Sequence, residues 1–291
     1  MMKLKFGIAI ALLSGVVLTT LWSCEEDDPI GFSEAQLRLV FNDEFDGEAG
    51  NSINTDNWNF EIGNGVNGWG NQELQYYTDR PENVSLDGEG NMVITARRED
   101  FAGFPFTSAR ITTKDKFEQQ YGRFEARIKM PGGRGIWPAF WMLGANIETE
   151  ADEDPNTMPW PFIGEIDVTE MRGQEPFRTI GSLHGPGYSG GAALSGEYEL
   201  EGARLDNDFY VYAIEWRPGS IDFFLNDIRF NRISTEDLPS GVEAWPFDEN
   251  PFFMLLNVAV GGTFVGFPVD STPFPQQMVV DYVKVYELVE E

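Results

Sequence analysis

Three carboxylates fall within the run Gly164-Glu165-Ile166-Asp167-Val168-Thr169-Glu170. In a strand alternate side chains share a face, so Glu165 and Asp167 point one way and Ile166 and Val168 point into a core. Glu170 falls out of phase. Strict alternation would send it inward, and burying an unpaired carboxylate is costly. One extra residue near Val168 or Thr169 returns Glu170 to the face of Glu165, so the spacing predicts a β-bulge there. Two carboxyls about 5.5 Å apart can divide the displacement of a sugar, one attacking and the other protonating the departing oxygen. Asp167, between them, would hold a proton or a hydrogen bond and keep the acid protonated. A solvated acidic face on an acidic protein has the same spacing.

Composition narrows the chemistry. The chain has 291 residues, 48 acidic and 20 basic, for a net charge of -28. Nucleic acid is a poor partner for such a surface, because its phosphates need Lys and Arg. A neutral polysaccharide is compatible with it. Aromatic residues make up 14%, including eight Trp. They could fill a large β core or offer flat faces to sugar rings. With one Cys and one His, an intrachain disulfide, a Cys/His zinc site and a triad through a second His all fall away. Acid/base work is left mainly to carboxylates.

The elements that must position these groups begin after a leader. Residues 1–23 carry Lys3 and Lys5 and then an uncharged apolar run, Phe6 to Ser23, which reads as a secretory signal. A short membrane anchor has a similar length. Leu21-Trp22-Ser23-Cys24 resembles a bacterial lipoprotein cleavage site, which would make Cys24 the lipidated first residue of the mature protein. Glu25-Glu26-Asp27-Asp28 resembles the surface-export signal of Bacteroidetes lipoproteins; a solvated linker has the same composition. The expectation is a lipid-anchored protein of the outer membrane, exposed at the cell surface, with residues 24–36 as an acidic tether.

From Leu37 to the C-terminus the chain reads as short strands punctuated by Gly, Pro, Asn and Asp. They fall at Leu37–Phe41, Met92–Arg98, Gly122–Met130, Ile136–Leu143, Phe209–Arg217, Ser220–Asn226, Phe253–Val260 and Met278–Tyr286. Phe124, Ala126, Ile128 and Met130 alternate with charged residues, the pattern of a half-buried strand. Without a helical period or an internal repeat, the fold class is all-β, a sandwich or barrel.

The seven-residue acidic run resembles the active-site signature of glycoside hydrolase family 16, in the longer form typical of its laminarinases. The likeness extends, in order, to Phe41-Asn42-Asp43-Glu44-Phe45, Trp69-Gly70-Asn71-Gln72-Glu73-Leu74-Gln75-Tyr76-Tyr77-Thr78, Tyr121 to Arg127, Trp137 to Leu143, Asn257 to Gly262 and Val280 to Tyr286. It implies a catalytic domain over residues 37–291 and a β-jelly roll of two curved antiparallel sheets, of the concanavalin A-like lectin/glucanase type. The activity implied is retaining endo-hydrolysis of β-1,3-glucan by a monomer, without a catalytic cofactor, with Glu165 as nucleophile, Glu170 as acid/base and Asp167 as helper. Mixed-linkage glucan, another polysaccharide of the family's range and a non-catalytic carbohydrate-binding jelly roll are the alternatives.

The same resemblance assigns substrate contacts to Trp69, Asn71, Glu73, Arg110, Trp137, Trp141 and His184. Ala109 stands where the family usually has Gly. Trp137 and Trp141 lie four apart, so one strand shows both on one face, as a core stripe or as sugar platforms. His184 ends a neighbouring strand, where it could bond Glu170, Asp167 or a sugar hydroxyl. The acidic insert from Ala145 to Pro161 reads as a loop over one cleft end, and Gly185 to Gly196 as a mobile cleft edge. Finally, the resemblance implies a structural Ca²⁺ on the convex side, at Glu44, the Gly90 backbone and Asp281, oxygen donors of the hard type calcium takes. Surface carboxylates are the plainer reading of those acids.

Overall fold

The computed structural model describes residues 37–147 and 157–289. The chain divides into two units, Met1–Ile30 and Gly31–Glu291, and every described residue belongs to the second. The signal segment, Cys24, the tether and residues 148–156 of the acidic insert lie outside the described residues.

In chain order the strands are β1 (Leu37–Asp43), β2 (Asn59–Phe60), β3 (Gln75–Tyr77), β4 (Val84–Leu86), β5 (Met92–Phe101) and β6 (Phe104–Ser108). There follow β7 (Arg110–Thr112), β8 (Gly122–Lys129), β9 (Ile136–Gly144), β10 (Glu165–Glu170), β11 (Arg178–His184) and β12 (Leu194–Glu199). The last are β13 (Tyr210–Arg217), β14 (Ser220–Leu225), β15 (Ile228–Ser234), β16 (Phe252–Val260) and β17 (Gln276–Leu288). No α-helix occurs among the described residues. Ten strands form one sheet, ordered β15-β14-β13-β8-β17-β5-β6-β3 with β1 on β17 and β4 on β5. Seven form the other, ordered β12-β11-β10-β9-β16-β7-β2. Pairing is antiparallel except for β3 with β6. The two-sheet jelly roll expected from the sequence is the fold found.

Alternation builds the core. Along β8 the side chains of Phe124, Ala126 and Ile128 are fully buried and Arg123, Arg127 and Lys129 are only partly so. In β16 every residue is buried, because apolar packing covers both of its faces. Met254, Leu256 and Val258 face the main core. On the other face Phe253 and Leu255 form a small second cluster with Leu143 and Ile163, against which Trp141, Ile147 and Met158 pack. That cluster pins both described ends of the acidic insert beside the seven-stranded sheet.

The Gly/Ser segment after His184 is shorter than the sequence suggested. Its loop ends by Ala193, and Leu194–Glu199 is the edge strand β12. Gly196 belongs there for a packing reason: a Cβ would stand 2.2 Å from the Asn231 amide of β15. The lack of a side chain lets the edge strands of the two sheets approach.

Candidate active site

The irregularity in β10 is the element on which the site depends. On one side Asp167 pairs with Trp141 and Thr169 with Phe140; on the other Asp167 pairs with Ser182 and Glu170 with Ile180. Each ladder therefore accommodates one extra residue in β10, at the position the carboxylate spacing required. Val168 and Ile166 join the core. Thr169 is buried as well, and its hydroxyl meets that of Thr179 at 2.7 Å, so the bulge leaves no orphan hydroxyl. Upstream, Gly164 enters the strand at φ +78°, a left-handed conformation that suits glycine, and a Cβ there would lie 2.8 Å from Phe252.

Glu165, Asp167 and Glu170 consequently share a face, together with His184, which is the ladder partner of Glu165. The Glu165 and Asp167 carboxyls hydrogen-bond one another. Trp160 donates Nε1–H to Glu165 Oε2 at 2.8 Å, and Trp137 donates Nε1–H to Glu170 Oε1 at 2.9 Å. His184 Nε2 stands 2.9 Å from Asp167 Oδ2 and 3.9 Å from Glu165 Oε1. Its other nitrogen, Nδ1, accepts the Gly190 backbone N–H at 3.0 Å. The neutral imidazole therefore carries its proton on Nε2, facing the carboxyls. Although one atom each of Glu165, Asp167 and His184 lie within 4.8 Å of one another, that tautomer turns a donor toward the position a metal would occupy.

Burial is the first cause of every shift in this trio. It pushes Glu165 up to about 8, with the Asp167 charge adding to it and His184 and the Trp160 N–H opposing it. Asp167 is pushed up to about 7 by burial, against the hydrogen bond from Glu165. Glu170 is held well above the ordinary carboxylate range by burial, then by the charges of Asp167 and Glu165. Three desolvated carboxyls this close cannot all ionise. Burial and the two neighbouring charges favour the protonated form of Glu170, the form a general acid needs. Glu165 and Asp167 share the proton whose loss leaves a nucleophile.

One wall of the cleft is a stack. The Arg110 guanidinium lies 4.3 Å from the Trp69 ring and 4.7 Å from the Trp141 ring, and it is ion-paired to Glu61. Behind it Glu73 accepts from Asn71, Gln75 and Tyr77 at 3.3, 2.6 and 3.2 Å. Burial raises the Glu73 pKa, and those donors and Arg110 work against it. Trp137 and Trp141 both remain partly exposed on β9, on the face the four-residue spacing implied. Phe264 packs on Trp137 at 5.1 Å and is itself covered by Arg172 at 4.3 Å. All ten residues that the sequence assigned to catalysis or substrate thus fall on one side of the seven-stranded sheet.

Sequence reasoning did not single out Trp160, Glu61, Tyr77, Asn257 or Phe264. Trp160 carried a signal in its place, a Trp-Pro five residues before Glu165. Tyr77 and Asn257 lay inside runs already recognised but had no role attached.

The proposed calcium corner is a mixed case. Continuing the ladder pairs Val280–Met92 and Asp43–Val283 brings Asp281, the turn carrying Gly90, and Glu44 to one corner, where β17 is bulged against β8. Glu44 is paired with Lys284 at 2.9 Å and Asp281 with Arg127 at 2.5 Å. The donors are of the hard oxygen type that calcium takes, and both acids are already paired with cations of this chain.

Comparison with known proteins agrees with this geometry. A Beta-glucanase of Rhodothermus marinus is 42% identical over 259 residues, 87% of this chain and 86% of that protein. The Clotting factor G alpha subunit of Tachypleus tridentatus is 38% identical over 254 residues, 87% of this chain; the match spans only 34% of that protein. The laminarinase catalytic domain from Thermotoga maritima MSB8 superposes with a TM-score of 0.79 at 42% identity, covering 88% of this chain and 100% of that one. The family model for Glycosyl hydrolases family 16 matches residues 70–284, and the chain belongs to that family.

Proposed function

We propose that the protein is a retaining endo-β-1,3-glucanase of the laminarinase type. The observation that carries this reading is the bulge that puts Glu170 on the face of Glu165 and Asp167, with a tryptophan N–H on each glutamate. Glu165, once ionised, attacks the anomeric carbon and forms a glycosyl-enzyme. Glu170 gives its proton to the departing glycosidic oxygen, then takes one from the water that releases the sugar. Asp167 accepts and returns the proton that Glu165 must lose. The Trp69–Arg110–Trp141 wall lies to one side of the carboxylates and offers ring faces to the glucan.

The test is product analysis on laminarin, lichenan, agarose and carrageenan. Internal cleavage of laminarin, with retention of anomeric configuration in the first product, is expected. Faster cleavage of lichenan would move the assignment to mixed-linkage glucan. Binding of laminarin with no new reducing ends would make the protein a carbohydrate-binding jelly roll. Glu170→Ala with added azide should recover turnover on a substrate with a good leaving group, because azide needs no general base.

Two further parts of the reading concern the rest of the chain. A structural Ca²⁺ would be held by Glu44, Asp281 and the Gly90 carbonyl; a melting temperature that rises with calcium and falls back with chelator tests it. Leu21-Trp22-Ser23-Cys24 and the acidic run after it support a lipid anchor at Cys24 on the outer membrane. Metabolic palmitate labelling that disappears in Cys24→Ala tests that.

A further inference from the structure

Trp141 does not hold its place in the wall by stacking alone. Its Nε1–H donates to Asn257 Oδ1 at 2.7 Å. Asn257 Nδ2 donates to the Tyr77 hydroxyl at 3.1 Å, and that hydroxyl donates to Glu73 Oε2 at 3.2 Å. Gln75 and Asn71 donate to the same carboxylate, and Gln75 Oε1 accepts the Val260 backbone N–H at 2.7 Å. Tyr77 and Gln75 are fully buried, and Asn257 and Glu73 nearly so.

The chemistry of the four groups fixes the direction of this chain. An indole N–H can only donate, and an ionised carboxylate can only accept. Asn257 must therefore turn its oxygen to Trp141 and its amide nitrogen to Tyr77. The phenol has one proton, which goes to Glu73. No member can reverse without leaving a buried polar group unpaired. The indole orientation is thereby tied to a carboxylate three residues away in the chain of bonds, and Glu73 is attracted by the Arg110 charge that also stacks on Trp141.

We propose that Glu73, Tyr77 and Asn257 are positioning residues for substrate recognition: they lock the Trp141 ring in one orientation and so set how strongly glucan on that side of the carboxylates is held. The face of Trp141 toward Arg110 is taken, so the sugar meets only the part of the ring that stays exposed, at a fixed angle. This inference rests on the glucanase reading. It adds that the cleft's hold on longer chains is set partly by a hydrogen-bond relay behind the Trp141 ring.

The test is kcat/KM across β-1,3-gluco-oligosaccharides of increasing length, for the wild type, Tyr77→Phe and Asn257→Ala, with the melting temperature of each. For the wild type kcat/KM should climb with length as the wall becomes occupied. In both variants the climb should flatten, with a KM for the longest oligosaccharides about tenfold higher, as expected for a buried hydrogen bond broken behind a binding surface. The quench of tryptophan fluorescence by bound oligosaccharide should shrink in parallel. Tyr77→Phe removes one oxygen and keeps the ring, so it carries the test if Asn257→Ala proves too unstable. An equal loss at every length, a loss confined to kcat, or an unchanged length profile would overturn the inference. A wild type that cuts none of these oligosaccharides would overturn the glucanase reading instead.

Discussion

Trp160 donates its indole N–H to Glu165 at 2.8 Å from just upstream of β10, with 46% of the residue exposed. Its counterpart is Trp137, which reaches Glu170 from the neighbouring strand β9. The two glutamates are thus each held by a tryptophan, but by different kinds of element. Trp137 is fixed by a strand ladder. Trp160 belongs to the acidic insert, so Glu165 is oriented by a loop whose ends are packed on the Leu143–Phe253 cluster.

Replacing Trp160 by Phe should therefore act through the ionisation of Glu165. The indole N–H favours the charged carboxylate, and without it the carboxyl, already pushed up to about 8, rises further. The acid limb of the kcat/KM profile should move to higher pH. At pH 6 the loss should be about tenfold or more, the value of one hydrogen bond to a charged group. A lower kcat/KM with an unmoved acid limb would mean that Trp160 serves only as a sugar platform.

Asp167→Asn should move both limbs of the profile in the same direction. The Asp167 charge raises Glu165 and Glu170 together. Its removal makes Glu165 easier to ionise, so the acid limb moves down. Glu170 also loses its proton sooner, so the alkaline limb moves down with it. An optimum at lower pH, with reduced kcat because the proton acceptor of Glu165 is gone, is the expected result. Limbs that close toward each other instead would show that Asp167 acts on only one of the two glutamates.

Stability should respond to the same burial. The Glu165 carboxyl ordinarily titrates near 4.5 and is pushed to about 8 in the folded protein. The native state therefore binds this proton more tightly than the unfolded chain. The resulting stabilisation is complete below pH 4.5 and is lost as pH rises through 8. Glu165→Gln removes the ionisation altogether. It should melt close to the wild type at pH 5 and a few degrees above it at pH 9, while hydrolysing no laminarin. A variant that melts lower at both pH values would mean that the carboxyl contributes more through its bonds than burial costs.

The sequence made the bulge, the strand frame and the common face of the acids legible, because period-2 alternation and the cost of a buried charge are both local facts. Phe253–Val260 was readable as a strand for the same reason, and the structure extends it by only Phe252. Residue-level contacts were less accessible. Asn257 meets Tyr77 across 180 positions, and no local pattern announces such a pair. The β12 edge was misread as loop because Gly196 looks like a flexible position until Asn231 is seen against it. For Glu44 and Asp281 the chain showed the acids but not the Lys284 and Arg127 that face them.

The bulge itself can be tested by changing its length. Glu170 reaches the cleft face either through six residues with a bulge or through five in a straight strand, since both restore the phase of Glu165. Deleting Val168 should thus keep all three acids on one face, with Thr169 still inward. The variant should fold, less stably by about the worth of one buried valine, roughly 1.5–3 kcal/mol, and retain measurable hydrolysis. Inserting one alanine after Val168 keeps Glu170 on that face only if the bulge widens or the strand straightens, and a straightened strand carries Glu170 two positions, roughly 7 Å, beyond its native ladder partner Ile180. That variant should lose activity and melt lower. A deletion without activity beside an insertion with it would mean that phase and position along β10 do not govern where the acid stands.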